Sequence, residues 1–275
     1  MIITVVGLGL IGASLAKTIK KHTNHTVIGI DLQKSVMTKA LKDGTIDEIG
    51  SVDSLSKTDI TIVALYPGAV IDFVKTNAEH FKKDSIVIDT GGIKRNICGA
   101  LVDFSHEHGF EFIGAHPMAG KEKNGYDFSD DTLFDNAYMI LTPVKASEKN
   151  VDLLKKLSSD MGFKGVTIST PENHDRIIAY TSQIPHVLAC AYISDDDAVR
   201  HDGFSAGSYK DISRVADINA PLWQELFLEN SDYLCNHIDT LVQNLLKIKS
   251  YIQNDDSAAL TAELQKAKER KAKIG

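Results

Sequence analysis

The sequence predicts an α/β fold, a doubly wound and mainly parallel sheet followed by an all-α helical domain, and three observations predict it. Short apolar runs alternate with helical patterns as far as Ile168. A glycine-rich turn, Gly7-Leu8-Gly9-Leu10-Ile11-Gly12, follows the first apolar run directly. Beyond Ser169-Thr170-Pro171-Glu172 no strand pattern recurs, and helical stretches fill the rest. The boundary is therefore expected near residue 170, with domains at 1–169 and 170–275.

Each element has a local reason. Ile2 to Val6 suits a buried parallel strand, and Ala13 to Lys17 opens a helix. Between them, Gly7 allows a tight turn, Gly9 lets backbone approach a pyrophosphate, and Gly12 lets helix and strand pack closely. Free N–H groups at the helix start then face the phosphates. The strand Thr26 to Ile30 ends in Asp31, about 19 residues after Gly12 and near the spacing of a ribose-binding acid in a Rossmann-type fold. An acid there accepts hydrogen bonds from both ribose hydroxyls of NAD and repels the 2′-phosphate of NADP. The alternative is an ordinary βα turn with a solvated aspartate.

The chain continues with a helix from Lys34 to Lys42, where Gly44 suits the C-cap. Strands follow at Ile60 to Leu65, Ser85 to Ile88, Glu111 to Ala115, Tyr138 to Leu141 and Gly165 to Ile168. Helices are expected at Ala69 to Phe81, Lys94 to His108 and Ser147 to Met161. Lys121 to Asn136 is polar, contains glycine and reads as a loop. The helical part comprises Pro171 to Tyr192, Ala220 to Ser231, Asp232 to Ile252 and Ser257 to Lys273. Thr170 serves as N-cap and Pro171 as first helical residue.

Composition narrows the class. The 275 residues are 43% hydrophobic and 24% charged, as in soluble globular proteins, with a net charge of −7. That charge disfavours nucleic acid as a partner, and the basic tail Lys266, Lys268, Arg270, Lys271, Lys273 reads as a solvated helix end. Cys98, Cys190 and Cys235 suggest neither disulfides nor a metal site. No apolar run reaches membrane-spanning length. A cytoplasmic protein is expected. Leu234, Ile238, Leu241, Leu245 and Ile248 recur at helical spacing, which predicts a homodimer, or else burial within one subunit.

Ligands of such sheets bind beyond the C-terminal strand ends. That gathers Gly7 to Gly12, Leu65-Tyr66-Pro67, Asp89 to Gly92 and His116 around one site. His116, locked by Pro117, is a candidate proton acceptor, or a histidine bonded within its loop. In the helical part, Pro185 is expected to kink its helix and redirect His186. Arg214, flanked by apolar residues, is expected to be partly buried against an anion, either a structural or a substrate carboxylate. His22, His25, His80, His106, His108 and His201 have no such context.

Together these residues resemble the prephenate dehydrogenases of tyrosine biosynthesis through nearly the whole chain. The matching stretches are Gly7 to Ala16, Asp89-Thr90-Gly91-Gly92-Ile93-Lys94, His116-Pro117-Met118-Ala119-Gly120, His174-Asp175, Ser182-Gln183-Ile184-Pro185-His186 and Asp211-Ile212-Ser213-Arg214. The resemblance implies NAD-dependent oxidative decarboxylation of prephenate to 4-hydroxyphenylpyruvate. It makes His116 the catalytic histidine and His186 the second active-site histidine. Arg214 becomes the grip on the ring carboxylate, with Gly92 and Ser182 against the substrate. Gly92 departs from the serine common in the family. No regulatory ligand-binding domain of the kind some relatives carry is expected after the helices, so any tyrosine inhibition is expected to act at or near the active site. The rival readings are an arogenate or dual-specificity cyclohexadienyl dehydrogenase, a hydroxyacid dehydrogenase, whose catalytic-lysine motif is not evident, and a non-catalytic NAD-binding protein, against which His116, His186 and Arg214 together argue.

Overall fold

In the computed structural model, which describes residues 1–274, the apolar runs form strands β1 (Ile2–Val6), β2 (Thr26–Ile30), β3 (Glu48–Ile49), β4 (Ile60–Val63), β5 (Ile86–Asp89), β6 (Glu111–Pro117), β7 (Tyr138–Thr142) and β8 (Gly165–Ile168). Helices α1 (Leu10–His22), α2 (Lys34–Lys42), α3 (Pro67–Thr76), α4 (Arg95–Glu107) and α5 (Glu148–Asp160) lie between them. The rest is helical: α6 (Pro171–Ile178), α7 (Ile184–Ile193), α8 (Gly207–Ser213), α9 (Ala220–Glu229), α10 (Ser231–Gln253) and α11 (Ser257–Ile274). No described helix is long and apolar enough to cross a membrane.

The strands form one sheet in the order β3-β2-β1-β4-β5-β6-β7-β8, and every neighbouring pair is parallel except β6 and β7. Alternate side chains of β1 feed opposite layers. Ile3 and Val5 pack with Leu15, Ile19, Leu154 and Leu157, whereas Val6 packs with Val70, Val74, Ile97 and Leu101. A sheet apolar on both faces is what parallel strands under helices require. The strand order reverses between β1 and β4, which opens a crevice at their C-terminal ends.

The glycine turn is built as its spacing predicts. Gly7 has φ +85°, and a Cβ there would lie 2.5 Å from the Ala64 carbonyl oxygen. A Cβ on Gly12 would lie 1.9 Å from the Gly7 carbonyl oxygen, so helix and turn approach to backbone contact. Gly9 has nothing within 4 Å of its Cβ position, leaving that side open.

Four local features depart from the sequence reading. The two-residue strand β3 is exposed and carries no apolar run to reveal it. Strand β6 runs on through Pro117, because β7 pairs His116 with Ile140 and Pro117 with Met139. The β5 register ends at Ile113, so Pro117 has no ladder partner on that side, which is where a strand tolerates proline. The expected continuous helix from Pro171 to Tyr192 is interrupted by a π-turn at Ala179–Gln183. Pro185, which lacks an N–H, then sits in the first turn of α7, so the helix widens before it. Helix α8 was not marked by its short, polar sequence.

The described chain packs as two units. The first, Met1–Asn230, contains the sheet and α1 through α9, and the second begins at Ser231. Within the second, α10 and α11 pair, and Lys247 bridges to Glu263 at 2.7 Å. Thr170 caps α6 by accepting a hydrogen bond from the Asn173 amide, with Pro171 in the first turn.

Gly12→Ala should destabilise the fold by at least about 1–3 kcal/mol, the cost of overpacking. At about 2–4 °C per kcal/mol for a chain of this size, thermal unfolding will detect it. Gly9→Ala, with open space at its Cβ, should leave Tm unchanged.

Candidate active site

A cavity of about 630 Å³ lies at the C-terminal ends of the parallel strands. The glycine turn from Gly9 to Gly12 forms one wall, and Leu65, Tyr66, Pro67, Thr90, Gly91 and Gly92 continue it. His116 and the following loop to Gly125 form the floor. Ser182, His186, Val215, Leu222, Trp223 and Leu226 close the side contributed by the later helices.

The glycine wall fits an anionic diphosphate. Gly9 is the N-cap of α1 and supplies no side chain, and the first turn of α1 holds no acid. The opening N–H groups of α1 thus have no side-chain acceptor, and the helix dipole favours negative charge there. Asp31 holds this turn in place: Oδ2 accepts from the Leu8 amide and Oδ1 from the Gln33 amide, both at 2.8 Å. Each carboxylate oxygen keeps a second lone pair for a ligand hydroxyl. Gly7, Leu8 and Asp31 do not line the cavity. Leu8 is buried in the core beneath the turn.

His116 is held in the β6–β7 ladder and not in a loop. Its Nδ1 lies 2.9 Å from His174 Nε2, and His174 Nδ1 lies 2.7 Å from Asp175 Oδ1. This chain determines the protons. Burial pushes the Asp175 carboxyl up, but the His174 ring and the amides of Arg95 and Lys94 outweigh it and hold it below the usual range. His174 Nδ1–H donates to the ionised Asp175, so His174 Nε2 is an acceptor. His116 must then donate from Nδ1, which leaves its Nε2 lone pair free. Burial, with His174 and Lys94 nearby, holds His116 well below the ordinary histidine value. Burial also lowers His174, partly opposed by Asp175. The pair is neutral at pH 7, and His116 presents a base.

Asp175 also anchors this assembly. Its oxygens accept from the backbone amides of Lys94 at 2.7 Å and Arg95 at 2.8 Å, the N-terminus of α4. Asn230 donates to the Asp175 carbonyl at 2.9 Å and to Gln183 Oε1 at 2.8 Å. Gln183 in turn donates to the Leu226 carbonyl at 2.9 Å. Two further bonds join α9 and its N-cap to the glycine side: Gly68 N to Glu225 Oε1 at 2.6 Å, and Asn219 Nδ2 to the Tyr66 hydroxyl at 2.7 Å. The cavity walls are therefore cross-linked.

His186 stands on the opposite wall. Its Nδ1 donates to the Ser182 carbonyl at 2.8 Å, and its ring stacks on Trp223 with centroids 3.7 Å apart. Burial lowers its pKa, partly opposed by that carbonyl. Nε2 is left as an acceptor. The expected change at Pro185 thus takes the form of a π-turn that supplies the Ser182 carbonyl.

Arg214 departs from expectation. Its side chain is 63% exposed, not partly buried, and pairs with Glu122. The apolar neighbours Val215 and Ile212 do not enclose it, because α8 and the turn after it lie at the surface with no buried residue. Glu122 lines the cavity, so the pair sits at its edge. Gly92 lies in the wall as expected, and Leu226 explains its size: a Cβ at 92 would meet a Leu226 methyl at 3.3 Å.

The sequence marks His174-Asp175 as a motif without giving it a role; it gives no sign of Trp223, Leu226 or Glu122, and it does not show that Asp89 and Lys94 pair in the core. A polar pair immediately after a Thr-Pro helix start was the available signal for His174 and Asp175. Nothing local reveals that α6 faces the start of α4.

The fold and the cavity define a class: a dinucleotide-binding dehydrogenase whose glycine turn and a buried histidine line one cavity. The comparisons are more specific. The nucleotide-binding domain model of prephenate dehydrogenase matches residues 15–167, and the dimerization domain model matches 170–266. A prephenate dehydrogenase of Bacillus subtilis is 30% identical over 97% of this chain and 74% of its own. A prephenate dehydrogenase from A. aeolicus, solved with hydroxyphenyl propionate and NAD+, superposes with a TM-score of 0.89 at 26% identity, covering 100% of this chain and 98% of its own. An arogenate dehydrogenase from Synechocystis gives 0.83 at 27% identity, covering 100% of both chains. The chain belongs to the prephenate dehydrogenase family.

The exposed Arg214–Glu122 pair should contribute at most about 1 kcal/mol to stability. Arg214→Ala should accordingly shift Tm by less than about 4 °C. A larger loss would mean the arginine is a structural partner.

Proposed function

We propose that this chain catalyses the NAD-dependent oxidative decarboxylation of prephenate to 4-hydroxyphenylpyruvate. The observation that carries the reading is the hydrogen-bond chain behind His116, which prepares a neutral imidazole in the cavity that also holds the glycine turn. The open side of Gly9, the uncapped start of α1 and Asp31 at the end of β2 fit NAD, and Asp31 opposes the 2′-phosphate of NADP. When bound, the nicotinamide accepts hydride from the ring carbon that carries the hydroxyl.

The residues of the chain supply position and a proton acceptor. His116 Nε2 takes the hydroxyl proton as hydride leaves the same carbon; the electron pair freed as the ring carboxylate departs as carbon dioxide aromatises the ring, and the ring oxygen then recovers the proton from His116. The positive charge that then develops on His116 is shared with His174 and faces the Asp175 carboxylate. His186 Nε2 and Ser182 border the substrate on the far wall. Leu226 over Gly92 and Trp223 supply apolar surface for the ring. Arg214, at the rim, receives the ring carboxylate when Glu122 releases it, with two parallel hydrogen bonds that a lysine would not reproduce.

Glu122 and Asp217 on the cavity wall favour a second reading. Their charge suits an ammonium on the substrate side chain, which is arogenate, and the likeness to the Synechocystis enzyme supports it. Formation of NADH from NAD, or of NADPH from NADP, with prephenate and with arogenate discriminates among these. Prephenate turnover exceeding arogenate turnover is expected. Absence of both NADH and NADPH with either substrate would remove the reading.

The division of labour we propose follows the break between the two family models, with dinucleotide binding in 1–169 and substrate binding and dimerisation in 170–275. The second unit of the chain offers a surface for a homodimer: Val242, Leu245, Leu246 and Ile252 of α10 are all exposed. Leu234 of the expected stripe is buried, and Ile238, Leu241 and Ile248 are half-buried. Light scattering at micromolar concentration should give twice the chain mass, and a monomer would refute the dimer.

His116→Asn should lower kcat by roughly 10²–10⁴, the usual worth of a general base, with NAD affinity close to normal. The neutral ring is the active form, and its pKa lies well below 6.5. Activity should therefore persist as pH falls through 6.5 and decline only at lower pH. A profile that loses half its rate at or above 6.5 would contradict the buried base.

A further inference from the structure

Lys94 is completely buried, and its ammonium pairs with Asp89, also completely buried. It does not line the cavity. Two glycines make room for it: the Cβ position of Gly91 lies 3.6 Å from Lys94 Nζ, and that of Gly114 lies 3.0 Å from Lys94 Cδ. The ammonium also donates to the Ile93 carbonyl at 2.9 Å. Burying such a pair is costly, and an apolar pair of similar volume would be at least as stable in many folds. Stability alone does not account for it.

Its connections do. Asp89 Oδ1 accepts from the Ala115 amide at 3.0 Å, and Oδ2 accepts from the Gly91 amide at 2.8 Å. Ala115 immediately precedes His116 in β6. The β5–β6 ladder ends at Ile113, so this side-chain bond replaces a ladder bond just before the base. The Lys94 amide meanwhile donates to Asp175 Oδ1, and Asp175 orients His174 against His116. Residue 94 thus reaches His116 by two routes, one through its side chain and β6, the other through its backbone and α6.

We propose that Lys94 is the positioning residue of the base: its ammonium locks Asp89 onto the Ala115 amide, and its own amide holds the Asp175 carboxylate that orients His174. This rests on the reading of His116 as the proton acceptor. A pair that closes a ring around a catalytic side chain restricts that side chain in both translation and rotation. Misplacement by about 1 Å costs on the order of 10²-fold in rate, so small play in β6 is enough to matter.

Lys94→Met alone leaves a buried, unpaired carboxylate and is expected to fold poorly. Asp89→Asn combined with Lys94→Met removes both charges and keeps an acceptor for Ala115. The test is a double-mutant cycle between this pair and His116→Asn, reading kcat, substrate KM, NAD affinity and Tm on each preparation. The pair variant should fold and bind NAD normally while kcat falls roughly 10²-fold, the cost of such a displacement, with KM little changed. In the His116→Asn background the same pair should cause no further loss, because the group it positions is already gone. An unchanged kcat in the folded pair variant, or losses that multiply in the combined variant, would overturn the proposal while leaving His116 as base. Near-normal turnover of His116→Asn alone would overturn the base reading, and the positioning role with it.

Discussion

The carboxylate of Asp175, seated on the N-terminus of α4, is the constraint on which the site depends. One side chain from the first later helix satisfies two backbone amides at the end of the sheet layer and one imidazole. Helix starts need acceptors, and here the acceptor comes from another element. The bond that completes α4 therefore also fixes where α6 lies. The same carboxylate, through its separate bond to His174 Nδ1, sets the His174 tautomer and through it the tautomer of His116. Packing and proton placement are one event.

That coupling gives the buried imidazole of His116 a direction as well as a charge state. Burial alone would make His116 neutral but would not say which nitrogen is free. The chain of Asp175 and His174 supplies the direction. Burial, the His174 ring and the nearby Lys94 ammonium hold the His116 ring well below the ordinary histidine value. The cross-links from Asn230, Gln183 and Glu225 hold the opposite wall at a fixed distance from the strand ends. Such rigidity suits a reaction that relies on alignment.

Much of this was legible in the sequence. The glycine turn, Asp31, the alternation of strands and helices and the cap at Thr170-Pro171 are local signals with local causes, and the fold follows them. His116 stood out because a strand end beside a proline is a fixed position. What was not legible depends on distant partners. The extension of β6 through Pro117 requires β7 to run antiparallel beside it. The exposure of Arg214 follows from α8 lying at the surface, although its apolar neighbours suggested burial. The role of His174 and Asp175 appears only when α6 meets α4, and the link from the local Asp89–Lys94 pair to Ala115 only when β5 and β6 lie side by side. Sequence spacing reports neighbours along the chain; His116 and His174 are 58 residues apart, and Lys94 and Asp175 are 81.

The central claim is that His116 is neutral with its proton on Nδ1, held there by His174 and Asp175. Nitrogen-15 chemical shifts of the labelled histidines measure this directly, with the His116 signals assigned by their loss in His116→Asn. The account predicts a neutral ring at pH 6.5 with Nδ1 protonated and Nε2 bare, and transfer of the proton between the nitrogens when Asp175 is replaced by leucine. A protonated ring at that pH, or a proton on Nε2 in the unmodified chain, would contradict it.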